Sequence, residues 1–261
     1  LKAQEVGKST GVKVQVLGKS EMVKLGMGAI LGVANGSAEE PKFIIMEYHG
    51  GAKAEAPYVF VGKGVTFDTG GLNLKSEKSM NDMHMDMLGG AAVICALGAV
   101  ARLKLPVNVI GLVPAVENMP GSAGYRPGDL LKSMSGKTIE VLNTDAEGRV
   151  ILADALTYAE KYQPKLVVDV ATLTGACMVA LGLRCSGLMT PDIELQNKLQ
   201  DWIGRNNLVE SALILGNQLI VNLKSPIVYP TFTLDIDANQ VGIFITSGEP
   251  DVTCPIDIPT L

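Results

Sequence analysis

The sequence predicts an α/β protein, a three-layer α/β/α sandwich around a mixed, mostly parallel sheet. Three observations predict it. Strand-like apolar runs alternate with helical patterns through the middle of the chain, in the order strand, helix, strand, helix, strand. The run Val107–Val113 is almost continuously apolar, as suits a strand covered on both faces. Glycine-rich segments that carry Lys and Asp stand where strands end, the place where α/β folds bind ligands. With 261 residues, 47% of them hydrophobic, the chain has enough material for one large core.

Taken in order, Val12–Leu17 alternates like a strand, and Ser20–Leu25 reads as a short helix capped by Ser20. Gly26, Gly28 and Gly32 then loosen the chain. Phe43–Tyr48 and Tyr58–Val61 read as strands joined by a polar turn, which suggests a hairpin. A glycine-rich loop, 62–75, follows. Its order is not that of a phosphate-binding P-loop. Gly89–Lys104 has one apolar face, made by Val93, Ile94, Leu97, Val100 and Ala101, and predicts a helix.

After the strand at Val107–Val113, Glu117–Asp129 is a polar loop. Lys137–Leu142 is β-branched and predicts a strand, Val150–Tyr162 a helix, Lys165–Ala171 a buried strand, and Ile193–Ile203 a helix. Beyond about Arg205 the pattern fades. Leu213–Leu223 is apolar without a clear period, and Thr231–Asp237 and Val241–Thr246 are short strand candidates. Asp235–Asn239 begins like an EF-hand loop, but Gln240 stands where that loop needs Gly.

The net charge of −5 and the absence of a basic run argue against nucleic acid as a partner. Cys95, Cys177, Cys185 and Cys254 show no CxxC spacing and read as buried thiols of a reducing compartment. His49 and His84 are the only histidines, which excludes a His-rich zinc site. No apolar run reaches membrane-spanning length without interruption by Gly, Lys or Asp.

The chemistry concentrates in two places. Asn143–Arg149 (NTDAEGR) places Asp145, Glu147 and Arg149 between a strand and a helix. A helix N-terminus with acids in its first turn would look similar, since the helix dipole stabilises them. Upstream, the loop after Tyr58–Val61 holds Lys63, Asp68 and Lys75, and a Met-rich window holds Asp86 and His84. An acid among apolar neighbours is costly unless it finds a cation. Asp68, Asp86, Asp145 and Glu147 gathered together would repel one another, and two divalent cations would cancel their four charges. Oxygen ligands suit Mg²⁺, Mn²⁺ or Zn²⁺. Two such ions about 3.5–4 Å apart can acidify a shared water and make a nucleophile without Ser or Cys. A lysine there either gives up its proton to ligate, or stays charged and stabilises an oxyanion.

The runs VGKGVTFDTGGLNLK, MNDMHMDMLGGAA, ENMPGSAGYRPGD, NTDAEGRVILADAL and DVATLTGAC together resemble the leucyl (cytosol) aminopeptidase family over about Val12 to Leu188. NTDAEGR is highly specific to that family. The resemblance implies a metallo-aminopeptidase catalytic domain spanning 1–261, with 1–190 close to the family and 205–261 divergent. The family's separate N-terminal domain is expected to be absent. It implies that Lys63, Asp68, Asp86, Asp145 and Glu147 ligate two divalent ions, Zn²⁺ or Mn²⁺ with Mg²⁺ as a third candidate. Asp68 and Glu147 would bridge them. Lys75 would polarise the scissile carbonyl, and Arg149 would hold a bicarbonate acting as general base. Met83, Asn143, Thr172, Leu173 and Gly175 would line the substrate pocket.

The implied reaction is release of N-terminal residues, leucine and similar, from peptides by attack of a metal-bridging hydroxide. The implied setting is a cytoplasmic homo-hexamer that uses neither membrane nor nucleic acid. An alternative is a non-catalytic metal-binding homologue that acts as a scaffold. A two-metal phosphatase suits the metal chemistry but not a lysine ligand.

Overall fold

The computed structural model describes residues 1–182, 185–205, 209–215, 218–223 and 240–244. The strand candidate Thr231–Asp237, Cys254 and the segment Pro250–Leu261 lie outside them. The elements are α1 (Lys2–Thr10), β1 (Lys13–Leu17), α2 (Lys19–Leu25), α3 (Gly28–Ala34), β2 (Lys42–His49), β3 (Tyr58–Gly62), β4 (Gly64–Asp68), α4 (Glu77–Met80) and α5 (Leu88–Arg102). They continue with β5 (Asn108–Asn118), β6 (Leu130–Lys132), β7 (Thr138–Glu140), α6 (Glu147–Ala159), β8 (Leu166–Ala171), α7 (Gly175–Leu181), β9 (Cys185–Met189) and α8 (Ile193–Arg205). The last described elements are β10 (Val209–Leu215), β11 (Gln218–Leu223) and β12 (Gln240–Phe244).

The main sheet is mixed, in the order β1-β2-β5-β3-β8-β12-β9-β11-β10, with β4 also paired to β5. Its centre is parallel: β3 with β5 and β8, β4 with β5, and β12 with β8. Both flanks are antiparallel. Helices cover both faces, as the sequence predicts. An added Cβ at Gly62 would touch Gly89 at the start of α5, whereas the neighbouring Lys63 points to Gly148 of α6. So α5 lies on one face and α6, joined by α3, on the other. Val59, Val61, Ile110, Leu112, Leu97 and Ile151 fill the core between the layers.

Several expectations need correction. β2 and β3 do not form a hairpin. β5 lies between them, antiparallel to β2 and parallel to β3. Part of the expected loop 62–75 is strand β4, and its last residue Asp68 pairs with Asn118 at the end of β5. The glycines at 28 and 32 do not loosen the chain. They lie in α3, because a side chain at either would collide with the β6 segment, Lys132 O at 2.2 Å or the Leu131 side chain at 2.6 Å. The helix α2 is capped by Gly18 rather than Ser20, with Glu21 accepting from the Gly18 amide at 2.7 Å.

The strand expected at Lys137–Leu142 is short and pairs only with β6, outside the main sheet. Helix α1 carries too few apolar residues to announce itself, and it forms by packing on α5. Cys95 is exposed on α5, not buried. Glu77–Arg102 has the length and apolarity to cross a membrane, with a best mean hydropathy of 1.6. It is nevertheless broken into α4, a 3-10 turn and α5, and α5 is laid along the sheet through Val93 and Leu97.

Candidate functional site

The site forms where β3, β4 and β8 end and α6 begins. β3 ends at Gly62, and the backbone of Lys63 donates to Val170 O at 2.9 Å, so its side chain leaves the sheet toward α6. Gly148 makes the room: a Cβ there would sit 2.8 Å from Lys63 Cε and 2.9 Å from Leu173 Cδ1. The Lys63 ammonium, 2% exposed, then reaches Asp86 Oδ1, Glu147 Oε1 and Thr172 O, each at 2.8 Å. Asp86 follows the 3-10 turn Met83–Met85, and its Oδ1 also accepts from Thr172 Oγ1 at 2.7 Å. Glu147 is the first residue of α6.

The second half is the loop after β4. Asp68 Oδ1 accepts from the Gly70 amide and from Asn118 Nδ2, both at 2.8 Å. Its Oδ2 faces Lys75 Nζ at 2.8 Å. Lys75 also pairs closely with Asp145 Oδ1. Gly70, at φ +86°, lets the loop fold back so that Lys75 N donates to Thr69 O, and a side chain there would press on Asn73 O and Asp145 Oδ1. Asp145 sits in the 3-10 turn Thr144–Ala146, which Asn143 caps by accepting from the Asp145 amide at 2.8 Å.

Oxygens of Asp68, Asp86 and Glu147 all lie within 4.8 Å of one another, and all three residues are buried. Asp145 adjoins this trio through Lys75 and is more exposed. Four acids against two lysines leave two excess negative charges when all are ionised. Burial raises the Glu147 carboxyl to about 7, with Lys63 opposing the rise. Burial likewise raises Asp86, again against Lys63. For Lys63 burial works the other way, but Glu147 and Asp86 outweigh it and hold the ammonium well above its ordinary range. In the acid trio two buried carboxylate oxygens, Asp86 Oδ2 and Glu147 Oε2, have no hydrogen-bond partner among the described residues, and neither does the adjoining Asn118 Oδ1. Buried acceptors without donors are rare and costly. A hard divalent cation fits this set, since it supplies the missing charge and takes both oxygens.

The remaining expected residues lie around this cluster. Thr172 and Leu173 stand directly after β8, with Thr172 bonded into the cluster and Leu173 against Gly148. Met83 is half-buried in the 3-10 turn before Asp86. Arg149 is exposed, two residues along α6 from Glu147, with no acidic partner among the described residues. Gly175 opens α7 and is exposed with free space around it. His84 is not part of the converging trio and packs edge-on against Phe67, with ring centres 4.7 Å apart. Asn118, Tyr125 and Thr144 were not among the expected site residues, yet they hold the two loops together. Their only sequence signal is their place in motif runs beside the acids.

A model described as the cytosol aminopeptidase family, catalytic domain, matches residues 1–225. The chain belongs to the cytosol aminopeptidase family. The match reaches beyond the Val12–Leu188 stretch that the motifs mark. The chain is 55% identical over 199 residues to a probable cytosol aminopeptidase of Aromatoleum aromaticum, covering 76% of this chain and 40% of that protein. It is 56% identical over 197 residues to one from Azoarcus, covering 76% and 39%. It therefore spans about two fifths of the curated relatives it matches. Among solved structures, Caenorhabditis elegans leucine aminopeptidase is 36% identical at a TM-score of 0.73, over 77% of this chain and 41% of that one. A bottromycin maturation enzyme in complex with Mn is 41% identical at 0.72, over 78% and 45%. This member of the family thus shares its α/β fold with the solved leucine aminopeptidase.

Proposed function

We propose that the chain is the catalytic domain of a two-metal aminopeptidase that releases N-terminal residues such as leucine from peptides. The observation that carries this is the pair of orphaned buried oxygens, Asp86 Oδ2 and Glu147 Oε2, in a pocket with excess negative charge. Lys63, Asp68, Asp86, Asp145 and Glu147 would hold the two ions. The solved relative in complex with Mn supports Mn²⁺ as one ion, and Zn²⁺ and Mg²⁺ suit the same oxygens. When bound, such ions acidify a water toward neutrality and polarise a carbonyl.

The chain's own groups do the rest. Lys63 would serve as a neutral amine ligand, its proton lost to solvent once a cation's charge replaces that of the ammonium between Asp86 and Glu147. Lys75 lies between Asp68 and Asp145 and would be free of them with those acids engaged as ligands. Its freed ammonium then steadies the negative oxygen that grows as the carbonyl is attacked. Arg149, exposed and without an acidic partner among the described residues, would hold a bicarbonate acting as general base. Met83, Asn143, Thr172, Leu173 and Gly175 border the space that receives the first side chain of the peptide. Cytoplasmic location belongs to the same reading, supported by the names of the relatives, and a homo-hexameric state is proposed with it from the motif resemblance.

Leucyl-p-nitroanilide hydrolysis by protein loaded with Mn²⁺ or Zn²⁺ tests the proposal. Turnover that a chelator abolishes and Lys75→Ala lowers by about 10²–10³-fold is expected. Metal uptake without turnover would favour the scaffold reading instead.

A further inference from the structure

We propose that Asn118 is a positioning residue of the metal centre, which orients Asp68 and locks the Lys75 loop to the Asp145–Glu147 loop. This deepens the metallo-aminopeptidase reading and rests on it. Asn118 ends β5, directly opposite Asp68 on β4, and is wholly buried. Its Nδ2 spends both protons on the site. One goes to Asp68 Oδ1 at 2.8 Å and the other to Thr144 O at 2.9 Å. Both atoms are acceptors only, so the amide is fixed in this orientation by chemistry, because the flipped amide would set oxygen against oxygen twice.

The consequence for Asp68 is specific. Oδ1 is filled by two neutral N–H groups, Asn118 Nδ2 and the Gly70 amide. Oδ2 is left without a neutral donor and faces Lys75 Nζ. Asn118 therefore decides which Asp68 oxygen is offered to a cation. The consequence for the second loop follows from Thr144. Its carbonyl is held by Asn118 and by Tyr125 Oη at 2.6 Å. Its hydroxyl donates to Gly70 O at 2.6 Å and accepts from the Asn73 amide at 2.8 Å. The backbone of Asn118 clamps the other side, its carbonyl accepting from Thr69 N at 3.0 Å and Thr69 Oγ1 at 2.7 Å. One amide thus joins the loop carrying Asp68 and Lys75 to the turn carrying Asp145 and Glu147. Gly71 must stay small for this, since a Cβ there would lie 2.9 Å from Asn118 Oδ1.

Asn118→Asp tests the claim with almost no change of volume, because it replaces the two donors by acceptors that face acceptors. Mn²⁺ titration of chelator-treated protein by calorimetry is expected to give about 10–100-fold weaker binding than wild type, the usual cost of losing a partner that orients a metal ligand. In leucyl-p-nitroanilide hydrolysis at saturating Mn²⁺, kcat is expected to fall while KM stays within about twofold, because a group acting only through the reacting centre leaves substrate binding alone. Equal or tighter Mn²⁺ binding in the variant overturns the proposal. Where Asn118→Asp does not fold, Asn118→Ser replaces it in the same titration. Amide hydrogen exchange is then read at Gly70, Asn73 and Asp145 together. Faster exchange in both loops supports the lock, and unchanged exchange overturns it. Wild-type protein that binds no Mn²⁺ sinks the metallo-aminopeptidase reading itself, whereas a wild type that binds and a variant that binds equally sinks only the role of Asn118.

Discussion

Lys63 and Glu147 meet at 2.8 Å with each side chain only 2% exposed. A buried ion pair of this kind gains little over an apolar pair, but breaking it by removing one partner is costly. Lys63 also serves Asp86, so its loss would leave two buried acids without a cation. Lys63→Met is therefore expected to destabilise the metal-free protein by about 3–5 kcal/mol. Mn²⁺ should restore part of this, since the ion replaces the missing charge. Urea unfolding with and without Mn²⁺ checks both parts, and a variant as stable as wild type without metal contradicts the first.

Metal binding should stabilise the fold by mass action. At a free ion concentration about 100-fold above Kd, the gain is about 2.7 kcal/mol. Glu147→Gln and Asp86→Asn should each remove most of the Mn²⁺-induced rise in Tm. Binding should also strengthen as pH rises through about 7, the value to which burial lifts Glu147, because the proton held there must leave first. Calorimetry at pH 6 and pH 8 in buffers of different ionisation enthalpy would count the protons released. A pH-independent affinity would contradict this account.

Asp169 on β8 is a separate buried acid, whose Oδ1 has no hydrogen-bond partner among the described residues and whose carboxyl burial pushes up to about 8. The folded state then holds a proton that the unfolded state, with an ordinary carboxyl near 3.8, gives up. Between these two values the folded form binds more protons, so stability falls as pH rises through the window. Asp169→Asn should flatten that fall and stabilise the protein at pH 8 by a few kcal/mol, on the order expected for a buried charge relieved. Below about pH 4 the two proteins should unfold alike. Tm measured from pH 4 to pH 8 checks the sign.

Gly148→Ala would push a methyl group to 2.8 Å from Lys63 Cε and 2.9 Å from Leu173 Cδ1. The expected cost is about 1–3 kcal/mol, with weaker Mn²⁺ binding because Lys63 is displaced from Glu147. Gly175→Ala has open space and should do neither. Thermal melts and Mn²⁺ titrations of the two variants compare them directly.

Asp154 of α6 accepts from the amides of Ala29 and Ile30 at the start of α3 and from Met134, at 2.9, 3.0 and 2.7 Å. Asp154→Ala would leave three amides without their acceptor and is expected to cost about 3 kcal/mol or more. Asp154→Asn should recover part of it. Chemical unfolding of both variants provides the check.

The acids and lysines of the site were legible in the sequence because their chemistry is local. Lys63, Asp68 and Lys75 fall within one motif run, Asp145 and Glu147 within another, and a buried acid announces its need for a cation. The helical period that marks α5 and α6 and the short apolar runs that mark β5 and β8 were legible for the same reason, since both are written in neighbouring residues. Other features were not. Gly28 and Gly32 look like breakers in a window of ten residues, and only their approach to Lys132 and Leu131 explains the helix they occupy.

The sequence alone thus determined the family, the α/β class and the set of charged groups, because motif chemistry and short periods need no knowledge of distant neighbours. The tertiary structure alone decided that β5 separates β2 from β3, that Asn118 faces Asp68, and that Asp145 stands at the rim while Asp68, Asp86 and Glu147 converge. The physical reason is that strand pairing and side-chain convergence are settled by packing between segments far apart in the chain, where burial, and not local propensity, sets the energy.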